Sequence, residues 1–234
     1  MKPTSNDILA VATLSLLLMA SHGRAQDFTV PATANIFSAG QNAPIAPGGG
    51  GAGTLPIVIS LSPGQTSFQL TAAGQVSQYY NAFFHGPDGL PDYAANISAY
   101  GGLSGFVTDQ VLPLAAVFLT DAAPQNPAPA TLDFSSQGLG QNFLSLSPAI
   151  GQVFFVGDGQ TDSGQSQTFY VPSGATSLYL GFPDAANSLG PPGSYGDNEG
   201  SLQVDVTVVP EPCTSVLVVL GLPLFGALLR KDPA

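Results

Sequence analysis

Ser201-Leu202-Gln203-Val204-Asp205-Val206-Thr207-Val208 is the stretch on which the fold turns. Leu202, Val204, Val206 and Val208 occupy alternate positions, and Gln203, Asp205 and Thr207 lie between them. Period-two alternation belongs to an extended chain with one buried and one wet face. Short apolar runs of the same kind recur at Leu55–Leu61, Ser67–Thr71, Leu114–Thr120, Gln152–Val156, Gln167–Val171 and Ser177–Phe182. Gly and Pro are abundant between them, and no long amphipathic helical pattern appears. The expectation is an all-β fold, an antiparallel β-sandwich or jelly roll. Gln41–Gly53, with its run of glycines, reads as a flexible loop or linker. Asp121–Pro129 reads as an irregular surface loop. Residues 58–68 and 170–178 share a strand, a Pro/Ser-Gly turn and a Thr-Ser step, which reads as common hairpin chemistry rather than duplication.

Immediately before the diagnostic strand comes Pro191-Pro192-Gly193-Ser194-Tyr195-Gly196-Asp197-Asn198-Glu199-Gly200, and Asp184 ends an earlier run. This turn concentrates oxygen-bearing side chains. The charge pattern sharpens their meaning. The only basic residues are Lys2, Arg24, Arg230 and Lys231, while thirteen Asp and Glu side chains lie between Ala25 and Leu229. No carboxylate there has a basic partner in its own chain, so clustered carboxylates must be solvated, protonated or paired with a metal ion. The same pattern excludes nucleic-acid binding and disfavours anionic membranes.

Calcium takes six to eight oxygens from carboxylates, amides and backbone carbonyls. Asp184 can supply two, Asp197 and Asn198 one each, and Gly193 and Gly196 allow a carbonyl such as that of Ser194 to face an ion. A plain turn is the other reading of the same residues. Gly157–Gly164 reads as a solvated hairpin loop. Catalysis finds little support. His85 is the only histidine between the chain's two end segments, no Gly-x-Ser-x-Gly turn occurs, and one His without Cys makes a poor zinc site. The expectation is a protein that is not an enzyme. Tyr79, Tyr80, Phe83 and Phe84 either stack on a sugar face or pack as core.

The two ends carry sorting signals. Residues 1–25 read as a secretory signal peptide, with Lys2, an apolar run from Ile8 to Ala20 and small residues at Gly23 and Ala25. Pro210-Glu211-Pro212, an apolar segment from Cys213 to Leu229 and Arg230-Lys231 complete residues 210–234. That order resembles the PEP-CTERM sorting signal of Gram-negative bacteria. The resemblance implies transient anchoring in the inner membrane, recognition and processing by an exosortase, and delivery to the cell envelope, outer surface or matrix. Residues 26–209 would form the mature domain.

Within that domain, Ala72-Ala73-Gly74, Gly86-Pro87-Asp88-Gly89, Leu180-Gly181-Phe182-Pro183-Asp184 and Pro192–Ser201 occur in an order that resembles the LecA-type (PA-I galactophilic) lectins. The resemblance implies a galactose-binding-like β-sandwich holding Ca²⁺ through Asp184, Ser194, Asp197 and Asn198, with Gln78 as a further carbonyl donor. It also implies that Asp184, Asp197 and His85 bear on a bound carbohydrate such as exopolysaccharide. His85 precedes the Gly86–Gly89 motif where the family's His follows it. Ala185–Pro191 is an insertion, and Asp197 stands where the family has an amide. The alternative is a structural surface or matrix protein whose calcium only stabilises the fold.

Overall fold

The computed structural model describes residues 25–209. The expected export signal and the Pro210–Pro212 sorting motif with Arg230 therefore lie outside the described residues. Among those described, no helix is long and apolar enough to cross a membrane.

Thirteen strands run in chain order: β1 (Gln26–Pro31), β2 (Ile57–Ser60), β3 (Ser67–Ser77), β4 (Ala95–Ile97), β5 (Phe106–Thr108), β6 (Ala115–Leu119), β7 (Leu132–Phe134), β8 (Ser145–Leu146), β9 (Val153–Phe155), β10 (Thr168–Tyr170), β11 (Ser177–Gly181), β12 (Leu189–Gly190) and β13 (Glu199–Val208). They form a five-stranded sheet ordered β1-β13-β3-β10-β8, a four-stranded sheet β2-β11-β6-β9, and a smaller sheet β12-β4-β5-β7. The fold is the expected all-β sandwich, and most pairings are antiparallel. The seven runs read from sequence all contain strands. The strands that sequence patterning missed are mostly two or three residues long, too short for alternation to register.

The two larger sheets meet through aromatic side chains. Phe68 of β3 lies 6.5 Å from Phe118 of β6, and Phe154 of β9 lies 5.4 Å from Phe169 of β10, between ring centres. On β13, Leu202, Val204 and Val206 are buried while Gln203 and Asp205 are exposed, as the alternation requires. Strand β6 departs from the one-wet-face rule, because all five of its residues are buried. The short Ile36–Ser38 turn packs against it, and Phe134 of the third sheet covers neighbouring Phe155 at 6.0 Å.

The paired Pro/Ser-Gly turns are not hairpins. Each carries the chain from one large sheet to the other: β2 to β3, and β10 to β11. They interlock reciprocally. Leu61 N donates to Thr176 O and Val171 N to Thr66 O, both at 2.8 Å, and each corner closes on itself through Gln65 N→Ser62 O or Ala175 N→Pro172 O. The shared sequence shape thus reflects two equivalent corners that satisfy each other's backbone.

Strand β13 joins the functional turn to the rest of the domain. It pairs along its whole length with β3, from Glu199↔Ser77 to Val208↔Phe68, and with β1 from Pro31↔Ser201 to Gln26↔Val206. Its N-terminal end abuts the Ser194–Asn198 turn. The far end of β3 enters the Gln78–Phe84 loop beside it.

Candidate functional site

The Gly-rich segment read as a linker is a fixed backbone clasp. Gly48 N donates to Pro192 O, Ser194 N to Gly49 O, Tyr195 N to Gly51 O and Gly196 N to Gly50 O, at 2.8–3.2 Å. Such spacing leaves no room for side chains. A Cβ on Gly51 would lie 2.7 Å from Gly196 N, and one on Gly193 would lie 2.4 Å from Gly49 O. Glycine serves here for close approach rather than for flexibility. Asn35 holds the base of the clasp, donating from Nδ2 to Ile45 O (2.7 Å) and Ala52 O (3.1 Å) while Oδ1 accepts from Phe37 N (3.0 Å). Its position just before the Ile36–Ser38 turn is the Asn-cap signal that a sequence reading could have used.

The Ala185–Pro191 insertion does not separate Asp184 from Ser194. Gly193 N donates to Asp184 O at 3.0 Å, and Ala185 pairs with Pro192, which closes the insertion into its own loop. Tyr195, fully buried, fixes the junction from beneath. Its hydroxyl donates to Phe182 O (2.8 Å) and accepts from Asp184 N (3.1 Å). Tyr195→Phe removes both bonds and leaves the buried Asp184 N–H unpaired, while Phe182 O keeps the bond from Ile36 N. It should lower stability by about 1–3 kcal/mol, measured by urea unfolding in chelator.

Gln78, Asp184, Ser194 and Asp197 line one cleft of about 600 Å³. Asn198, the fifth expected ligand, is buried beside Asp184. Ser194 sits in the left-handed region (φ 70°), and Asp197 O is engaged by Tyr80 N at 2.6 Å. Asp184 is 3% exposed and Asn198 5%. Asp184 Oδ1 accepts from Ala185 N (2.8 Å), and Asn198 Nδ2 donates to Ala32 O (3.2 Å). Asp184 Oδ2 and Asn198 Oδ1 have no hydrogen-bond partner among the described residues. Burial pushes the Asp184 carboxyl up to about 8, against the opposing pull of the Asn198 amide and the Ala185 N–H, with Asp197 adding to the rise. Two adjacent, buried and unpaired acceptors are costly unless a proton or cation meets them.

These donors fit a hard cation. They are carboxylate, amide and carbonyl oxygens, and the described residues bring together no three His, Cys, Asp or Glu side chains that could hold a metal ion, so amide and backbone oxygens would have to complete any shell. His85 does not join them. It is buried in the Val76 pairing, its Nδ1 lies 3.0 Å from Gly86 O, burial lowers its pKa, and it is absent from the cleft lining.

The rest of the lining is largely apolar. Tyr79 and Phe83 contribute, as do Leu90, Tyr93 and Val111, and the insertion adds Ala185–Ser188. The aromatic loop therefore resolves against core packing: Tyr79, Tyr80, Phe83 and Phe84 are all exposed. Tyr93 escaped the sequence reading because a single Tyr after Pro91-Asp92 carries no periodic signal. The Gly157–Gly164 loop lies elsewhere, beside Asp88, whose Oδ1 accepts from Asp158 N at 2.9 Å.

No known protein family matches the chain, and no curated protein matches it. Among solved structures, the N-terminal domain of EclA, described as a PllA-like lectin, is similar over 78% of this chain and 95% of that one, at 15% identity and a TM-score of 0.31. A likeness of that size carries no argument about the site.

Proposed function

We propose that the domain is a calcium-dependent carbohydrate-binding module of an exported surface protein. The observation that carries this reading is a pair of buried oxygens without partners among the described residues, Asp184 Oδ2 and Asn198 Oδ1, of which Asp184 lines a cleft that also carries aromatic rings. Asp184, Asp197, Asn198, Ser194 and Gln78 would hold the ion. Bound calcium would bring the positive charge that residues 25–209 lack and would accept sugar hydroxyls. Asp184 and Asp197 would take the hydroxyl protons as hydrogen-bond acceptors. The sequence supplies the setting: export through residues 1–25, sorting by an exosortase at Pro210–Pro212, passing attachment to the inner membrane, and exopolysaccharide as the extracellular partner. The role is binding rather than catalysis.

The buried Asp184 equally supports a purely structural ion, in a matrix or surface protein that binds no sugar. Calcium titration of the chelator-stripped protein, followed by glycan-array binding with and without calcium, separates the two. Glycan binding that requires calcium and disappears in Asp184→Ala supports the lectin-like role. A calcium-dependent rise in Tm with no glycan bound supports the structural role. Indifference to calcium rejects both.

A further inference from the structure

We infer that the aromatic wall of the cleft is a second sugar subsite, so that the preferred ligand is an uncharged glycan of at least two rings. This rests on the carbohydrate reading of the same cleft and specifies its ligand. The lining of the cleft combines two chemistries: Gln78, Asp184, Ser194 and Asp197 offer oxygen, and Tyr79, Phe83 and Tyr93 offer rings. Those rings are 56%, 63% and 60% exposed. Phe83 itself has φ 57°, and Asp92, next to Tyr93, has φ 69°. The chain thus holds three bulky rings in water, one of them, Phe83, at a strained backbone position, a cost that a bound partner would offset.

A sugar chain matches both chemistries at once. Hydroxyls of one ring meet the oxygen-bearing residues, and the C–H face of the next lies on an aromatic ring. An acyl chain would satisfy the rings but leave the oxygens without donors. An acidic glycan would meet a domain with twelve Asp and Glu side chains and no Lys or Arg in residues 25–209.

The test is isothermal titration of the calcium-loaded full-length protein. The probes are galactose, glucose and mannose, the neutral tetrasaccharide of each, and tetragalacturonate. At least one neutral tetrasaccharide should bind about tenfold more tightly than its own monosaccharide, and Phe83→Ala and Tyr93→Ala should each cut that ratio severalfold. Tyr170→Ala, an exposed ring outside the cleft lining, should leave the ratio unchanged. Tetragalacturonate should bind about tenfold more weakly than the neutral tetrasaccharide. Equal affinity for one ring and four, a ratio indifferent to Phe83 and Tyr93, or tight tetragalacturonate binding overturns the inference while leaving the carbohydrate reading standing. Calcium binding without any saccharide bound removes both, as does Phe83-dependent sedimentation with neutral phosphatidylcholine vesicles in its place.

Discussion

Asp184→Asn is expected to weaken calcium binding by more than about a hundredfold and to flatten the pH dependence of the calcium-free protein. In that protein the Asp184 carboxyl titrates at about 8 against an ordinary 3.8. Between those values the folded state keeps a proton that the unfolded chain has released. Asp184 therefore makes stability fall as pH rises through this window, the reverse of a salt-bridged carboxylate. Bound calcium would replace the proton, so its affinity should climb with pH until the carboxyl ionises unaided. Melting curves of the parent protein in chelator should shift downward between about pH 5 and pH 8, and calcium should restore the loss most at the upper end. The amide introduced by Asp184→Asn retains the shape of the site and cannot ionise, so both effects should vanish. A variant that still gains Tm from calcium in the parent's manner would place the ion elsewhere.

Gly51→Val should destabilise the protein by about 3 kcal/mol or more and disable the cleft at the same time. Gly51 has φ 101°, and its missing side chain is what lets the clasp reach Gly196. Any β-carbon must push the two backbones apart, and the bonds from Ser194, Tyr195 and Gly196 to the clasp would loosen together. Calcium affinity should then fall by at least about tenfold, although Gly51 contributes no ligand. If the segment were a linker, valine would be harmless. Unchanged unfolding in urea together with unchanged calcium titration would restore that reading.

The difference between linker and clasp shows where the sequence stops being legible. Period-two alternation in Leu202–Val208 reports directly on which side chains are buried, because burial is a property of side chains. The glycines of Gln41–Gly53 carry no side chain to report anything. Composition alone makes such a run look mobile, whereas its partner is the distant segment Pro192–Gly196. The interlocked corners look like hairpins in the sequence for a similar reason: Pro/Ser-Gly chemistry specifies a turn but not which sheet the next strand joins. At the site, Asp184, Ser194 and Asp197 could be picked out by their oxygens and their freedom from basic partners. The burial that leaves Asp184 Oδ2 and Asn198 Oδ1 unpaired could not, since Tyr195, Ala32 and the insertion loop create it together. His85 enters the site only through the lectin resemblance, and a match of sequence order says nothing of where an imidazole points.

Strand β13 has one more consequence, for orientation. Its ten residues span about 30 Å. The cleft caps one end, while Val208 leaves from the other, with Gln26 alongside through its pairing to Val206. Both termini of the domain thus depart from the pole opposite the cleft. A tether attached at either terminus makes β13 a mast, with the cleft at its head, turned away from the surface and toward whatever drifts past.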